Sequence, residues 1–244
     1  DPSLALMPYW REGRRLMGRS TVTERDLLPM SRGALRGPLP IDAQGRCTSI
    51  AVGTYANDHH YPGEDWPLAP KSVRWGGRWS GTPFCIPFDA LISDSIPNLV
   101  MAEKGFSVSH MANGATRLQP LILNLGQVAG LAAAMAVRQG CDLGDLAVES
   151  IQSALIHEPK APAAVLPIWD WPHWHPHWVT AQEQGLAQPE HLAAMGCLSG
   201  TGASMLMPPG MNQAPHQSHE VGLSGVLTGN LQEGYQLQTS EGIW

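Results

Sequence analysis

Residues 98–130 read NLVMAEKGFSVSHMANGATRLQPLILNLGQVAG, and this stretch decides the predicted fold. It opens with an apolar run, Asn98 to Ala102, that is typical of a buried strand in a parallel sheet. A polar connection, Glu103 to Gln119, follows. Pro120 then predicts the first turn of a helix that ends near Gln139, because proline suits the start of a helix. The strand, the polar connection and the helix together predict an α/β fold.

The start of the predicted helix is suited to binding a ligand. It presents backbone amides without helical partners and a partial positive charge, which favour an anion or the electron-rich edge of a ring. Gly126 and Gly130 carry no Cβ atom and would let the helix lie close to a sheet or a ligand. Ordinary packing of a helix on a sheet explains the same pattern, so the spacing alone identifies no ligand.

Shorter elements are predicted on both sides of this stretch. Thr23 is a suitable N-cap for a short helix. The run from Ser49 to Tyr55 alternates and contains β-branched residues, which predicts a strand. Residues 84–88 predict an edge strand, because Pro87 has no amide hydrogen to donate. A further helix is predicted over residues 142–156.

Composition and charge argue against several classes of protein. The chain has 244 residues, of which 43% are apolar, so a buried core is possible. Its net charge of −6 gives no reason to expect nucleic acid or a membrane surface as a partner, since both need a basic patch. The apolar run from Leu121 to Val137 is too short and too interrupted for a membrane span. No signal peptide is visible, and we expect a cytoplasmic location.

Five short motifs carry a family resemblance. They are IPFDAL from Ile86, IPNLVMA from Ile96, SVSH from Ser107, NGATRLQP from Asn113 and GQVAG from Gly126. Together they resemble the C-terminal signature of the FAD-dependent oxidoreductase family with a glutathione-reductase-like flavin fold. The resemblance extends upstream to YWREGRR from Tyr9 and to the region of Asp58, and it fades after about residue 180.

The resemblance implies that FAD is the cofactor and that it lies against the loop and helix after residue 102. The residues that would bind it are Glu103, Lys104, His110, Asn113, Thr116, Arg117, Pro120, Leu121 and Gly126. The helix start would face the N1/O2 edge of the isoalloxazine, where reduced flavin is negatively charged. Relatives often have glycine and then an acid after the strand. Glu103 would therefore hold a ribityl hydroxyl one place out of register.

Two histidines outside these motifs are the predicted catalytic residues. His59 and His60 stand in the sequence Asp58 to Tyr61, and an imidazole near a flavin can donate or accept a proton at neutral pH. The alternative is a loop of surface or packing histidines. Arg117 is expected to pair with a substrate carboxylate or with the flavin phosphates, or else to form a structural ion pair with Glu103.

The sequence WDWPHWHPHW from Trp169 carries three histidines at alternate positions. In an extended run His173, His175 and His177 would share one face and could bind copper or zinc. We predict instead that the aromatic rings pack an irregular tail onto the domain, and no metal site is predicted.

The G-x-G-x-x-G turn that holds the FAD pyrophosphate does not occur in this sequence. We therefore expect the C-terminal fragment of an FAD-dependent oxidoreductase, inactive alone, with a missing N-terminal flavin-binding segment. The flavin of the complete protein would take a hydride or electrons from a small-molecule substrate that the sequence does not identify. The alternative function is a non-enzymatic Trp/His-rich binding module on a degenerate flavoenzyme scaffold.

The resemblance and the composition together divide the chain into five parts. Residues 1–97 are the substrate-side portion, with part of an antiparallel sheet, and residues 98–158 are the last strand and helices of the FAD-binding domain. An irregular Trp/His/Pro-rich segment spans 159–198. A flexible linker spans 199–220, and a short, incomplete β segment with a hairpin spans 221–244.

Overall fold

The computed structural model describes residues 11–31, 34–55, 82–168, 171, 173–194, 196 and 198, together with three strands between residues 226 and 243. The helices are α1 Glu24–Leu27, α2 His110–Thr116, α3 Gln119–Gln139, α4 Val148–Ile156 and α5 Trp178–Ala187. The strands are β1 Ser49–Gly53, β2 Phe84–Pro87, β3 Val226–Asn230, β4 Gly234–Thr239 and β5 Gly242–Ile243. The predicted catalytic residues His59 and His60 and the predicted linker 199–220 lie outside the described residues.

β1 and β2 form an antiparallel pair, with Val52 opposite Cys85 and Gly53 opposite Phe84. Both α3 and α4 contact β1, so the helices and this small sheet share one core. Ile50 and Ile86 are fully buried within it. A mixture of helices with a small antiparallel sheet agrees with the predicted α/β class, and the sheet agrees with the predicted strands over residues 49–55 and 84–88.

The long helix α3 confirms the prediction made from its own sequence signals. Pro120 lies in its first turn, and Gly140 ends it in the left-handed conformation with φ of 64°. Its buried side chains recur every three or four positions, which turns one stripe of the helix toward β1. Among the described residues α3 is the one helix long and apolar enough to cross a membrane, and a core helix can meet the same criterion.

The predicted parallel strand over residues 98–102 is wrong for the part of the chain that the structure describes. Val100 instead forms a single antiparallel bridge with Ile92. The amide of Ser93 donates to the carbonyl of Leu99 at 3.0 Å, and that of Met101 donates to Leu91 at 2.8 Å. The chain thus turns back on residues 91–93, whose backbone groups satisfy those of residues 99–101.

Two helices occupy segments that were predicted to be irregular. α2 lies within the predicted polar connection, where the Ser109 hydroxyl caps it by accepting from the amide of Ala112 at 3.0 Å. α5 lies within the Trp/His/Pro-rich segment, where the carboxamide oxygen of Gln182 accepts from the amides of Val165 and Leu166 at 3.1 and 2.9 Å. A local cap therefore stabilises the start of α2, whereas contacts with residues 165 and 166 stabilise α5, and sequence periodicity shows neither.

Other predicted elements agree with the structure in kind and differ in extent. Thr23 caps α1, where its amide donates to a carboxylate oxygen of Asp26 at 2.7 Å. The helix predicted over residues 142–156 begins later, at Val148, after a single 3-10 turn. β3 and β4 form the predicted hairpin, with Asn230 opposite Gly234. The proposed division of the chain into five parts stays a prediction.

Candidate functional site

The short helix α2 carries four of the residues predicted to bind the cofactor, counting the residue at its C-terminal end. They are His110, Asn113, Thr116 and Arg117, and their spacing brings His110, Asn113 and Arg117 onto one side of the helix. The opposite side packs Met111, Ala112 and Ala115 into the core. α2 therefore has one apolar face and one polar face, and both are largely enclosed by the protein.

The polar face of α2 meets the carboxylate of Glu12. The Oε2 atom of Glu12 lies 2.7 Å from Nδ1 of His110 and 3.0 Å from Nη2 of Arg15, and its Oε1 atom lies 3.3 Å from Nη1 of Arg117. The side chain of Arg117 is only 4% exposed, so its charge needs a partner close by. Glu12 supplies that countercharge, whereas Glu103 accepts a hydrogen bond from the amide of Gly105 at 3.1 Å.

The same contacts determine which atom of His110 donates to Glu12. A carboxylate oxygen accepts hydrogen bonds and does not donate them, so the nitrogen 2.7 Å away must carry the hydrogen. Nδ1 of His110 therefore donates to Glu12. Arg15 is also a donor, and its 3.5 Å approach to the same nitrogen reflects the oxygen that the two donors share.

Backbone contacts place Glu12 and Arg15 beside α2. The amide of Leu16 donates to the carbonyl of Gly105 at 2.7 Å, and Val22 pairs with Val108 in a parallel bridge. A Cβ atom on Gly105 would lie 3.0 Å from Oε1 of Glu103 and 3.2 Å from the carbonyl of Arg14. Glycine at this position therefore permits the two segments to lie this close together.

Polar atoms that are buried without a hydrogen-bonding partner among the described residues occur in this region. They include Nε of Arg15, Oδ1 of Asn113 and Oγ1 of Thr116. Asn113 is 2% exposed and Thr116 is 0% exposed, so bulk water does not reach them freely. A buried polar atom without a partner costs about 1–3 kcal/mol, and such atoms are uncommon in stable cores.

A pocket of about 160 Å³ opens between the segment before Leu16 and the loop before α2. We name it the arginine–asparagine pocket, and it is lined by Arg11, Glu12, Gly13, Arg14, Arg15, Glu103, Lys104, Gly105 and Asn113. Four of these side chains are cationic and two are anionic, so its walls carry a formal charge of 4 − 2 = +2. It is therefore suited to an anionic group.

The residues predicted at the start of α3 occupy different surroundings. Pro120 is exposed, whereas the side chain of Leu121 is buried in the core, so only the backbone of Leu121 is available to a ligand. A Cβ atom on Gly126 would lie 3.5 Å from the carbonyl of Ala102, which is an ordinary contact. The structure thus gathers His110, Asn113, Thr116 and Arg117 on α2, with Glu103 and Lys104 at the neighbouring pocket.

Sequence reasoning did not assign a role to Glu12, although Glu12 contacts three other side chains of the site. The signal that could have identified it is the motif YWREGRR, in which a single acid stands among several arginines. An isolated carboxylate in a basic stretch is a natural hydrogen-bond acceptor for buried cations. Nothing in the motif shows which cations those are, because His110 and Arg117 lie far along the chain.

In the described part of the Trp/His-rich segment, residues 173–177 form turns and the rings cluster, so these residues are not an extended run with three histidines on one face. The ring of Trp171 stacks on that of His175 at 4.1 Å, and the rings of His175 and His177 lie 5.2 Å apart. Burial, and then the neighbouring charge of His177, lower the pKa of His175. No group of three metal-binding side chains is positioned to hold an ion within the described ranges.

Two buried thiols lie elsewhere in the core. Burial raises the pKa of Cys47 to about 11 and that of Cys85 to about 12. Both are free thiols, and a thiol with such a pKa remains protonated at neutral pH. Neither Cys47 nor Cys85 is therefore suited to act as a nucleophile.

Comparison with known proteins agrees with the sequence motifs. The family model described as FAD dependent oxidoreductase matches residues 2–155, which is more than half of the chain. That range contains Glu12 and every residue predicted to bind the cofactor. No curated protein and no solved structure matches the chain. On this match, the chain belongs to the FAD dependent oxidoreductase family.

Proposed function

We propose that the chain is part of a flavoenzyme in which a hydride or electrons pass from an organic substrate to FAD. The observation that supports this most strongly is the enclosed polar face of α2, where His110, Asn113 and Arg117 converge beside the arginine–asparagine pocket. Glu12 pairs with His110 and Arg117, which holds this polar face beside a pocket whose walls carry a net positive formal charge. Such a pocket is suited to an anionic group, and FAD carries phosphates.

Two parts of the chain carry groups suited to binding FAD: the loop that follows Met101 and the start of α3. The loop from Ala102 to Lys104 is exposed or partly exposed, and Pro120 at the start of α3 is also exposed. Lys104 offers a charge for the pyrophosphate, and the backbone amides at the start of α3 offer donors for the flavin ring edge. Bound FAD would supply the site that accepts the hydride or electrons.

In this proposal Glu12, His110 and Arg117 keep the polar face of α2 in place. Glu12 fixes the ring of His110 through Nδ1 and keeps Arg117 paired, as the distances of 2.7 and 3.3 Å indicate. In this proposal Arg117 positions the polar face of α2, because its guanidinium is buried against Glu12. A direct contact between Arg117 and a substrate carboxylate would require that pair to open.

The test is titration of the purified 244-residue protein with FAD, followed by quenching of flavin fluorescence. We expect weak binding, because the chain lacks a G-x-G-x-x-G turn and the phosphate contacts that such a turn provides. Lys104→Glu should weaken binding about tenfold or more by placing a negative charge near the phosphates. Lys160→Glu makes the same charge change at an exposed position outside the pocket and should leave binding unchanged.

Two results would count against this proposal. One is that FAD at saturating concentration shows no binding to the wild-type protein. The other is that Lys104→Glu and Lys160→Glu bind FAD with equal affinity while both remain folded by circular dichroism. The second result would move the cofactor away from the loop that follows Ala102.

A further inference from the structure

A histidine side chain holds the turn that leads into helix α5. Nδ1 of His175 lies 3.1 Å from the backbone nitrogen of His177, the residue directly before α5. A backbone amide donates its hydrogen, so Nδ1 must accept and therefore carries no hydrogen of its own. The contact thus requires a neutral imidazole whose hydrogen is on Nε2.

Backbone contacts join this turn to the first turn of α5. The amide of Trp178 donates to the carbonyl of His175 at 2.9 Å, and the amide of Ala181 donates to the carbonyl of His177 at 2.9 Å. The first backbone amides of a helix have no partner within the helix, so an acceptor from the preceding turn stabilises that end. His175 supplies such an acceptor, whereas the side chain of His177 forms no capping hydrogen bond.

Protonation of His175 would remove this acceptor. Both ring nitrogens of a protonated imidazole are donors, so Nδ1 and the amide of His177 would meet as two donors. The partial positive charge at the start of α5 also disfavours a cation there. The ring can keep its stack on Trp171 when it is protonated, because aromatic faces attract cations. The hydrogen bond to the amide, and not the stack, therefore distinguishes the two states of the ring.

The surroundings of His175 favour the neutral ring. Burial, and then the charge of His177, lower the pKa of His175 below its ordinary value of 6.5. The rings of His175 and His177 lie 5.2 Å apart, so two protonated rings would repel each other. His173 packs edge-on against Trp174 in the same segment.

The other titratable groups on the described elements beside α5 are engaged with each other or lie at its far end. Glu183 of α5 pairs with His157, at the C-terminal end of α4, at 3.4 Å. Glu190 and His191 lie in the 3-10 turn that follows α5. Among the described residues, His177 is therefore the group whose charge acts on the pKa of His175.

We propose that His175 is a pH-sensitive switch, which holds the start of α5 when its ring is neutral and releases it when the ring is protonated. Because folding lowers the pKa of His175, the stabilisation is complete above pH 6.5 and is lost as the pH falls through the pKa of the folded protein. Gln182 keeps the rest of α5 bound to Val165 and Leu166, so the opening is confined to the turn at residues 175–178. This property requires no flavin and goes beyond the proposed function.

Nuclear magnetic resonance of the isotope-labelled 244-residue protein tests the switch, in samples at about pH 7.5 and about pH 5. The ring nitrogen shifts of His175 should show hydrogen on Nε2 and none on Nδ1 in the neutral sample. Hydrogen exchange of the His177 and Trp178 amides is corrected for the intrinsic effect of pH. Their protection should be about three- to tenfold lower in the acidic sample, the effect of one net hydrogen bond.

Three variants assign the effect to one ring. His175→Asn offers a carboxamide oxygen that accepts but does not titrate, so protection should stay near the wild-type value at neutral pH and lose its pH dependence. His175→Ala should show low protection in both samples. His157→Gln removes an exposed histidine that also contacts α5 and should leave the wild-type pH dependence unchanged.

Two outcomes overturn the proposal. Hydrogen on Nδ1 of His175 at neutral pH would mean that the ring does not accept from the amide of His177. An equal pH dependence in wild type and His175→Asn would assign the opening to another group. Both measurements still decide the matter if His175→Ala does not fold. Failure of the FAD titration leaves them unchanged, so this proposal and the proposed function fail separately.

Discussion

A single carboxylate holds together groups from two distant parts of the sequence. Glu12 accepts from Arg15 in its own segment and from His110 and Arg117 at the two ends of α2. At 23% exposed it is enclosed enough for these contacts to be stronger than those of a surface ion pair. The arrangement depends on one negative charge, and a neutral side chain of the same shape tests it.

Glu12→Gln should destabilise the protein by about 1–3 kcal/mol, because buried Arg117 would lose its countercharge. The measurement is the free energy of unfolding in urea. Glu149→Gln is the matched control, since Glu149 pairs with Arg46 at 2.9 Å on the exposed surface and should cost less than about 1 kcal/mol. Equal losses in the two variants would show that Glu12 acts as an ordinary surface charge.

The buried thiols predict the effect of alkaline pH. The pKa of Cys47 is raised to about 11 and that of Cys85 to about 12, both above the value of 9.0 expected for an unfolded chain. A raised pKa means that folding favours the protonated thiol, so this contribution to stability is complete below pH 9 and is lost as the pH rises toward 11. Unfolding should therefore become easier above pH 9.

Alkylation of the native protein at pH 8 gives a second check on the same thiols. Cys141 is partly exposed and should react with iodoacetamide, whereas Cys47 and Cys85 should react only after unfolding. Peptide mapping by mass spectrometry distinguishes the three sites. Rapid labelling of Cys85 in the folded protein would contradict its placement in the core.

At the scale of elements, the sequence predicted α3 well because the signals that define α3 lie within its own residues. Pro120 marks its start and Gly140 marks its end. α2 and α5 were not predicted, because hydrophobic periodicity shows neither the local cap at Ser109 nor the contacts of Gln182 with residues 165 and 166. The strand over residues 98–102 failed for a related reason, since an apolar run does not specify the segment with which it pairs.

A pair of glycines on α3 tests how that helix ends. Gly140→Ala should cost about 1 kcal/mol, because φ of 64° is unfavourable for a residue with a Cβ atom. Gly130→Ala should stabilise by about 0.5–1 kcal/mol, because Gly130 lies inside the helix and a Cβ atom there would meet nothing within 4 Å. Thermal unfolding followed by circular dichroism measures both. Changes of the same sign would contradict the assigned C-terminus.

At the scale of the whole molecule, the core extends beyond the part that matches the family. The family match ends at residue 155, yet Val165, Leu166 and Trp178 are buried in the same core cluster as β1. The hydroxyl of Ser49 in β1 donates to the carbonyl of Val165 at 2.6 Å. The sequence predicted that aromatic rings pack this tail onto the domain, and the burial of Trp178 agrees with that prediction. The contact between Ser49 and Val165 was not predicted, because the segment after residue 159 has no clear periodicity.

Gln182 should therefore control the stability of the whole described domain, not of α5 alone. Its side chain is 1% exposed and makes contacts of 3.1, 2.9 and 3.0 Å with the backbone of Val165 and Leu166. Gln182→Ala would leave those backbone groups buried without partners, at a cost of about 2–4 kcal/mol. Gln184→Ala, at an exposed position of the same helix, should change stability by less than about 0.5 kcal/mol.

Hydrogen exchange measured by mass spectrometry on Gln182→Ala should show equal losses of protection in peptides from α5 and from α3, because both helices pack into one core. If Gln182→Ala loosened α5 while α3 kept its protection, the segment after residue 159 would be a separate folding unit resting on the flavoenzyme-like part of the chain.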